Sequence, residues 1–397
     1  MMDAVNRKAA GSTNRIWTRD FVLICLANFF VFLGFQMTLP TIPLFVKELG
    51  GNDQLVGVIV GVFTFSALLL RPYAGHALES RGRRFVYMVG LSVFVLSIGS
   101  YGFIGSILLL FLIRMIQGAG WGFSTTAGGT IATDLIPPKR RGEGMGYFGL
   151  SGNIALAVGP SLGLALVGVI SFSSLFMICA AFGLIALLLS SRIQYKKVDQ
   201  SVETTTVKFD IFEKTALEPS ILLFFITATF GGIATFLPLH AIENGVAGIE
   251  LYFLVYAVFL MISRTFAGQI YDKKGHQYVF PPGTVLIISA MFLLAWLPNT
   301  AILLVAAALY GLGFGSVQPA LQAWAVDKAA NNRKGMANAT FFSFFDLGIG
   351  IGAIAFGQLA YIYGYGSIYI TSGLSVMVSL LLYGYLFIRA KRRSNWP

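Results

Sequence analysis

Two charged side chains sit where charge is costly. Asp346 falls in Thr340-Phe341-Phe342-Ser343-Phe344-Phe345-Asp346-Leu347-Gly348-Ile349-Gly350-Ile351-Gly352, deep in an apolar run. At about 1.5 Å of rise per helical residue, it lies ~15 Å from the start of that run, near the middle of a bilayer. A carboxyl group there is protonated, paired or hydrated, because desolvation disfavours its charged form, and such a group suits reversible proton uptake. A structural hydrogen bond or a helix-interface latch is the competing role, and the glycines that follow suit a packed helix contact equally well. The other acids fall in tails, loops or span ends. Arg114, in Arg114-Met115-Ile116-Gln117-Gly118-Ala119-Gly120-Trp121-Gly122, is the base with apolar residues on both sides. At mid-span such a charge costs at least ~2.5 kcal/mol on insertion scales, so it faces a bundle interior or water. Its competing role is a tether to backbone carbonyls of the first span.

Other chemistry is poorly provided for. Cys25 and Cys179 both sit in apolar runs, which excludes a disulfide framework and a cysteine metal site. His76, His240 and His276 are scattered singly, without metal-ligand spacing. Neither paired acids nor a histidine cluster is present for an enzyme, so none is expected. No metal or organic cofactor is expected either; the proton is the expected coupling ion.

The elements that must hold these residues follow from composition. Of 397 residues 56% are hydrophobic, 14% aromatic and only 11% charged, with a mean hydropathy of +0.76. A soluble chain carries about 25% charged residues. Disorder, coiled coil and a soluble enzyme are therefore poor fits, and the expected class is all-α integral membrane. Apolar runs predict spans at 21–46, 54–75, 85–101, 106–135, 144–170, 173–190, 219–241, 250–271, 278–297, 300–326, 336–362 and 367–389. The first run is too long for the apolar region of a signal peptide and no small-residue cleavage site follows it. Twelve spans put both termini on one side. All but two of the 28 Lys and Arg residues, the exceptions being Lys47 and Arg114, go with that side; Arg71 and Arg264 are read as helix ends. Basic residues near span ends stay cytoplasmic, so both termini are expected inside and the net charge of +11 reports topology, not nucleic-acid binding. The domain reading is a cytoplasmic tail at 1–20, a six-helix bundle at 21–190, a cytoplasmic linker at 191–218, a second bundle at 219–389 and a tail at 390–397. A short surface helix is expected around Val207–Leu217.

The connection after the second span reads Gly75-His76-Ala77-Leu78-Glu79-Ser80-Arg81-Gly82-Arg83-Arg84, and that after the eighth reads Gly268-Gln269-Ile270-Tyr271-Asp272-Lys273-Lys274-Gly275-His276. Glycine, an acid four residues on and a second glycine seven residues on recur half a chain apart, each motif led by an arginine, Arg71 or Arg264. Such a repeat is what two parallel halves of a carrier produce. On these residues the chain resembles the major facilitator superfamily over essentially its whole length. That family's loop runs Gly, three variable positions, Asp, Arg, any residue, Gly, Arg, Arg or Lys. Gly75, Gly82, Arg83 and Arg84 match it, whereas Glu79 and Ser80 stand where Asp and Arg are usual. The resemblance implies a gating role for Gly75, Glu79, Gly82, Arg83, Arg84 and Asp272. The Arg114 segment is similar to the family's fourth-span motif, Arg-x-x-Gln-Gly-x-Gly, whose arginine is tied to proton coupling. Gly159-Pro160-Ser161-Leu162-Gly163 in the fifth span looks like the signature of the family's proton-driven exporters, where it seals the interface with the eighth span; Pro160 is expected to kink the helix.

The resemblance implies two six-helix bundles, alternating access and a cavity from spans 1, 4, 7 and 10. Candidate lining residues are Asn28, Gln36, Arg114, Gln117, Trp121, Thr227, Phe230, Tyr310, Gln318 and Gln322. Span 1 lacks the acid that exporters of this class often carry, so coupling is assigned first to Asp346 with Arg114, ahead of Glu79, Asp272, Asp134, His240 or Glu243. The leading expectation is proton-coupled export of amphipathic small molecules, of the multidrug-efflux type. The alternatives are a dedicated exporter of one metabolite (a sugar, a siderophore or a lipid-linked anion) and a proton-coupled importer. A monomer in a bacterial plasma membrane is expected, with a small-molecule substrate, the lipid bilayer and no nucleic acid as partners.

Overall fold

The computed structural model describes residues 15–137, 140–195, 212–330 and 334–394. Residues 196–211 of the expected linker, and the side chains of Glu79 and Asp272, lie outside it. So does the first part, 207–211, of the surface helix expected around Val207–Leu217; the described remainder holds a 3-10 turn, Lys214–Ala216, that runs into the seventh long helix.

Twelve long helices make up the described chain: α1 Arg19–Glu48, α2 Asp53–Ser80, α3 Arg83–Ser100, α4 Ile107–Leu135, α5 Arg141–Leu166, α6 Phe172–Ser191, α7 Leu217–Glu243, α8 Ile249–Lys274, α9 Phe280–Trp296, α10 Thr300–Asp327, α11 Lys334–Tyr363 and α12 Tyr365–Ser394. Each holds a segment long and apolar enough to cross a membrane, because in hydrocarbon a helix satisfies its own backbone polar groups. All twelve predicted spans fall on these helices one for one. Several starts are written in the sequence: Asn52, Ser171 and Asn299 accept hydrogen bonds from the backbone N–H of Leu55, Ser174 and Ile302 at 3.0, 3.2 and 3.0 Å. Those donors would otherwise lack intrahelical partners. Helix α5 continues through Pro160 from Arg141 to Leu166 without interruption.

Packing divides the chain into two compact units, Met1–Thr38 with Ser66–Thr205 and Leu39–Phe65 with Thr206–Pro397. The outer segments of α1 and α2, those remote from the termini, therefore belong to the second unit. In the first unit α3 and α4 meet backbone to backbone: a Cβ on Gly90 would sit 2.7 Å from the Ser124 nitrogen, and one on Gly120 would sit 2.7 Å from the Phe94 nitrogen. Gly122 meets the Ala67 carbonyl of α2 in the same way. Close approach of this kind is what small residues provide in membrane helices. In the second unit α10 is gripped alike, by α9 at Gly313 and by α8 at Gly311 and Gly315. Helix α7 is buried along nearly its whole length, from Pro219 to Ala241. The glycines of α11 serve two neighbours: Gly348 and Gly352 meet Thr227 and Ala228 of α7, while Gly350 and Gly357 meet Thr64 and Asp53 of α2.

Candidate functional site

In the first unit, Arg114 is only 2% exposed. Its Nη1 donates to Gln117 Oε1 at 2.8 Å, and the buried Tyr101 hydroxyl donates to the same oxygen. Trp121, 8% exposed, stacks on Phe35 at 4.2 Å between centroids and touches Phe32 and Phe94. Asn28 donates from Nδ2 to Ser151 Oγ at 2.9 Å, joining α1 to α5. Gly159 and Gly163 lie against Gln36 and Met37 of α1, so within this unit the Gly-Pro-x-x-Gly segment is a helix-packing surface. Gln36 Oε1 is buried there with no hydrogen-bond partner among the described residues. Arg114 and Gln117 thus form a buried polar knot with Tyr101, and Trp121, one turn further along α4, sits in an aromatic cluster.

At the turn between α2 and α3, Arg83 Nε donates to Asp134 Oδ2 at 3.0 Å and Nη1 to the Leu78 carbonyl at 3.3 Å. These contacts tie α3 to the ends of α4 and α2 inside a single unit. A small cleft beside them is lined by Arg83, Asp134, Gln194 and Tyr195. Burial holds the Tyr195 phenol above its usual range, so it stays a neutral donor to the Ser190 carbonyl at 2.6 Å. Arg84 is exposed. The first glycine of each loop motif is not a turn residue: Gly75 and Gly268 lie within α2 and α8, and nothing described comes within 4 Å of where a Cβ would stand. The second glycine of each motif makes the turn, with φ 87 and ψ 156 at Gly82 and φ 81 and ψ 176 at Gly275.

In the second unit, Tyr310 is fully buried and shares a 2.9 Å hydrogen bond with Thr229. Its ring stacks on Phe314, which stacks on Phe230. Thr227 is a packing residue: its hydroxyl returns to the Leu223 carbonyl at 3.1 Å beneath Gly348. Gln318, 7% exposed, accepts from Arg264 Nη2 at 3.1 Å and donates to Gln322 Oε1 at 3.3 Å; Gln322 donates on to Asn338 Oδ1 at 2.8 Å. Asp346 is half-buried on α11, four residues before Gly350 and so on the stripe that meets α2.

The structure brings together Arg114, Gln117 and Trp121 in one unit, and Phe230, Tyr310, Gln318 and Gln322 in the other. Arg264, Asn338, Thr229 and Tyr256 are site residues that sequence reasoning missed. Arg264 does not lie at a helix end: it is seven residues inside the segment Ile249–Tyr271, about 10 Å from its Tyr271 end. Arg71 stands equally far inside Asp53–Leu78, so Arg114 is not the one base within a span. The repeat of Arg71 at Arg264, inside continuous apolar sequence, was the signal.

Twelve apolar helices with charged and amide side chains buried within them define a polytopic membrane protein. The chain matches the family model of the Major Facilitator Superfamily over residues 24–344 and 279–397, and it belongs to that superfamily. It is 22% identical to the staphylopine export protein of Staphylococcus aureus, over 86% of this chain and 89% of that one. It is 26% identical to multidrug resistance protein 1 of Bacillus subtilis, over 85% and 88%. Its fold is like that of a bacterial homologue of the human lysosomal transporter Spinster, with a TM-score of 0.76 at 15% identity over 95% and 98% of the two chains. Members of the family are transporters, not enzymes.

Proposed function

We propose that this chain is a proton-driven exporter of amphipathic small molecules, working by alternating access in the plasma membrane with both termini in the cytoplasm. The observation that carries the direction of transport is the pair of full-length relatives named for export and for multidrug resistance; the Gly159-Pro160-x-x-Gly163 segment supports it. Asp346 is assigned as the coupling acid because it is the acid at mid-span. In the proposed cycle, uptake of a proton by Asp346 from the outer side accompanies release of substrate outward, and loss of that proton to the cytoplasm resets the carrier. Arg114 acts on coupling through the packing of Gln117 and Tyr101. Substrate contacts are assigned to Asn28, Gln36 and Trp121 in the first unit and to Phe230, Gln318 and Gln322 in the second. Aromatic surface with a few amides suits amphipathic organic molecules.

The test is transport in proteoliposomes with an inside-acid gradient, using a cationic dye and an aromatic carboxylate as probes. Gradient-driven uptake of either probe that Asp346→Asn abolishes is the expected result. Uptake that survives in Asp346→Asn removes the coupling assignment, and uptake indifferent to the gradient removes proton drive. A dedicated metabolite exporter is the second reading, favoured by the staphylopine relative; movement of a single metabolite with no dye transport would establish it.

A further inference from the structure

Arg264 is a charge in a spanning helix for which no carboxylate among the described residues is a partner. Its guanidinium has five N–H donors. One, on Nη2, goes to Gln318 Oε1 at 3.1 Å, while Nε is buried without a partner among the described residues. The Tyr256 hydroxyl, on a residue 2% exposed, is likewise buried without a partner. The two residues are eight apart on α8, on neighbouring faces, and lie within electrostatic reach of each other. Each of these two unsatisfied donors lacks the same thing, an acceptor. A buried donor left unmade costs about 1–3 kcal/mol, more when it is charged, and a positive charge at that depth is offset best by a negative one.

The amides fix the polarity of the surroundings. Arg264 holds the Gln318 carbonyl oxygen toward itself, so the Gln318 amide donates to Gln322, and the Gln322 amide donates to Asn338. Gln318 is thereby committed, and the Nε edge of the guanidinium, buried without a partner among the described residues, lacks the acceptor that a planar two-oxygen group would supply to the fork. Along α10, Tyr310 and Phe314 precede Gln318 at four-residue spacing; their rings stack at 5.6 Å, and Tyr256 lies 5.6 Å from Tyr310. An aromatic stripe leading to a cationic fork holds an apolar body with an anionic head.

Resting on the exporter reading, we propose that Arg264 and Tyr256, together with Gln318, which holds the Arg264 fork, form the recognition site for the carboxylate of an aromatic organic anion whose ring lies on the Tyr310–Phe314 stripe. The probe is 1-naphthaleneacetate, compared with 1-naphthaleneacetamide and 1-naphthylmethylamine, titrated calorimetrically into the purified full-length chain. The expected result is that the acetate binds at least tenfold tighter than the amide or the amine. Arg264→Lys, which keeps the charge and loses the fork, weakens the acetate about tenfold and leaves the amide unchanged; Tyr256→Phe, which removes a single O–H, weakens it severalfold. Acetate binding no tighter than that of the amide, or equal in wild type and both variants, overturns the proposal. So does full displacement of the acetate by chloride at physiological strength, which would place an inorganic ion at the site. Head-group preference without any probe crossing the proteoliposome bilayer removes the exporter reading and keeps the site. Crossing without head-group preference keeps the exporter and removes the site.

Discussion

Gly82 and Gly275 show how a single backbone position is set by chemistry. Both take φ near +85° with an extended ψ, 87 and 156 at one and 81 and 176 at the other. That region is essentially closed to any residue with a Cβ and costs about 1–3 kcal/mol to occupy. Each glycine ends one helix of the repeat and lets the next begin. Gly75 and Gly268 open the same motifs, yet they lie in helical backbone with open space where a Cβ would be. The two positions therefore respond to alanine with opposite sign. Gly82→Ala and Gly275→Ala should each lower stability by about 1–3 kcal/mol, whereas Gly75→Ala and Gly268→Ala should be neutral or stabilising by up to about 1 kcal/mol. Thermal melts of the purified variants in one detergent decide it, and a loss at Gly75 as large as that at Gly82 would mean the first glycine is also a backbone requirement. The repeated spacing was legible in the sequence; which glycine turns was not, because a turn is a φ value, and glycine permits both signs.

At the scale of the helix, the two halves repeat one interlock. Gly118, Gly120 and Gly122 on α4 correspond to Gly311, Gly313 and Gly315 on α10, and each middle glycine faces a backbone of the adjacent helix: Gly120 against α3 and Gly313 against α9. A Cβ on Gly313 would come within 2.6 Å of the Gly283 carbonyl, and one on Gly120 within 2.7 Å of the Phe94 nitrogen. Neither neighbour is a flexible side chain that can swing away. Gly120→Ala and Gly313→Ala should thus each cost about 1–3 kcal/mol through overpacking, while Gly146→Ala on α5, with nothing described within 4 Å, should leave the melt unchanged. Equal melting temperatures for all three would show that α3 and α9 yield freely. The number and placement of helices were readable from apolar runs, because length and hydropathy alone decide what spans a bilayer. Arg264 was harder to read: counting bases near span ends assigned it to the membrane edge, and only the two-unit packing puts it beside Gln318. Tyr256 carried no signal at all, since a tyrosine in an apolar run reads as core until its hydroxyl is found without a partner.

For the whole molecule, the covalent halves and the packed units differ. The linker-based division at 191–218 assigns α1 and α2 entirely to the first bundle, yet Leu39–Phe65 packs with Thr206–Pro397. The cause lies in pairs of residues some 300 positions apart, which no local pattern reveals. Gly57 lies on the Ala353 carbonyl, Gly357 lies on the Asp53 carbonyl, and Gly61 lies on Ile354. Asp53 accepts from Lys47 at 2.8 Å and from the Tyr365 hydroxyl at 2.6 Å, and Gln54 donates to Gln358. A charge-assisted hydrogen bond is roughly twice as strong as a neutral one, so Asp53 is the stronger of two polar pins, beside Gln54–Gln358, in a contact rich in small residues. Under the proposed alternating-access cycle, this contact parts whenever the side remote from the termini opens. Loosening it should raise the share of molecules in that state without unfolding them. Ala353 is fully buried, so Ala353→Cys, in a chain whose Cys25 and Cys179 are replaced by serine, should react slowly with a membrane-impermeant maleimide applied to intact cells. Adding Asp53→Asn should speed that labelling severalfold, and adding Gly57→Leu, whose side chain collides with the Ala353 backbone, should speed it further. Both effects require that the pinned side face outward, as the distribution of basic residues predicts. Labelling that is equally slow with and without Asp53→Asn and Gly57→Leu would mean that the outer segments of α1 and α2 are a fixed part of the second unit, and that access alternates elsewhere in the molecule.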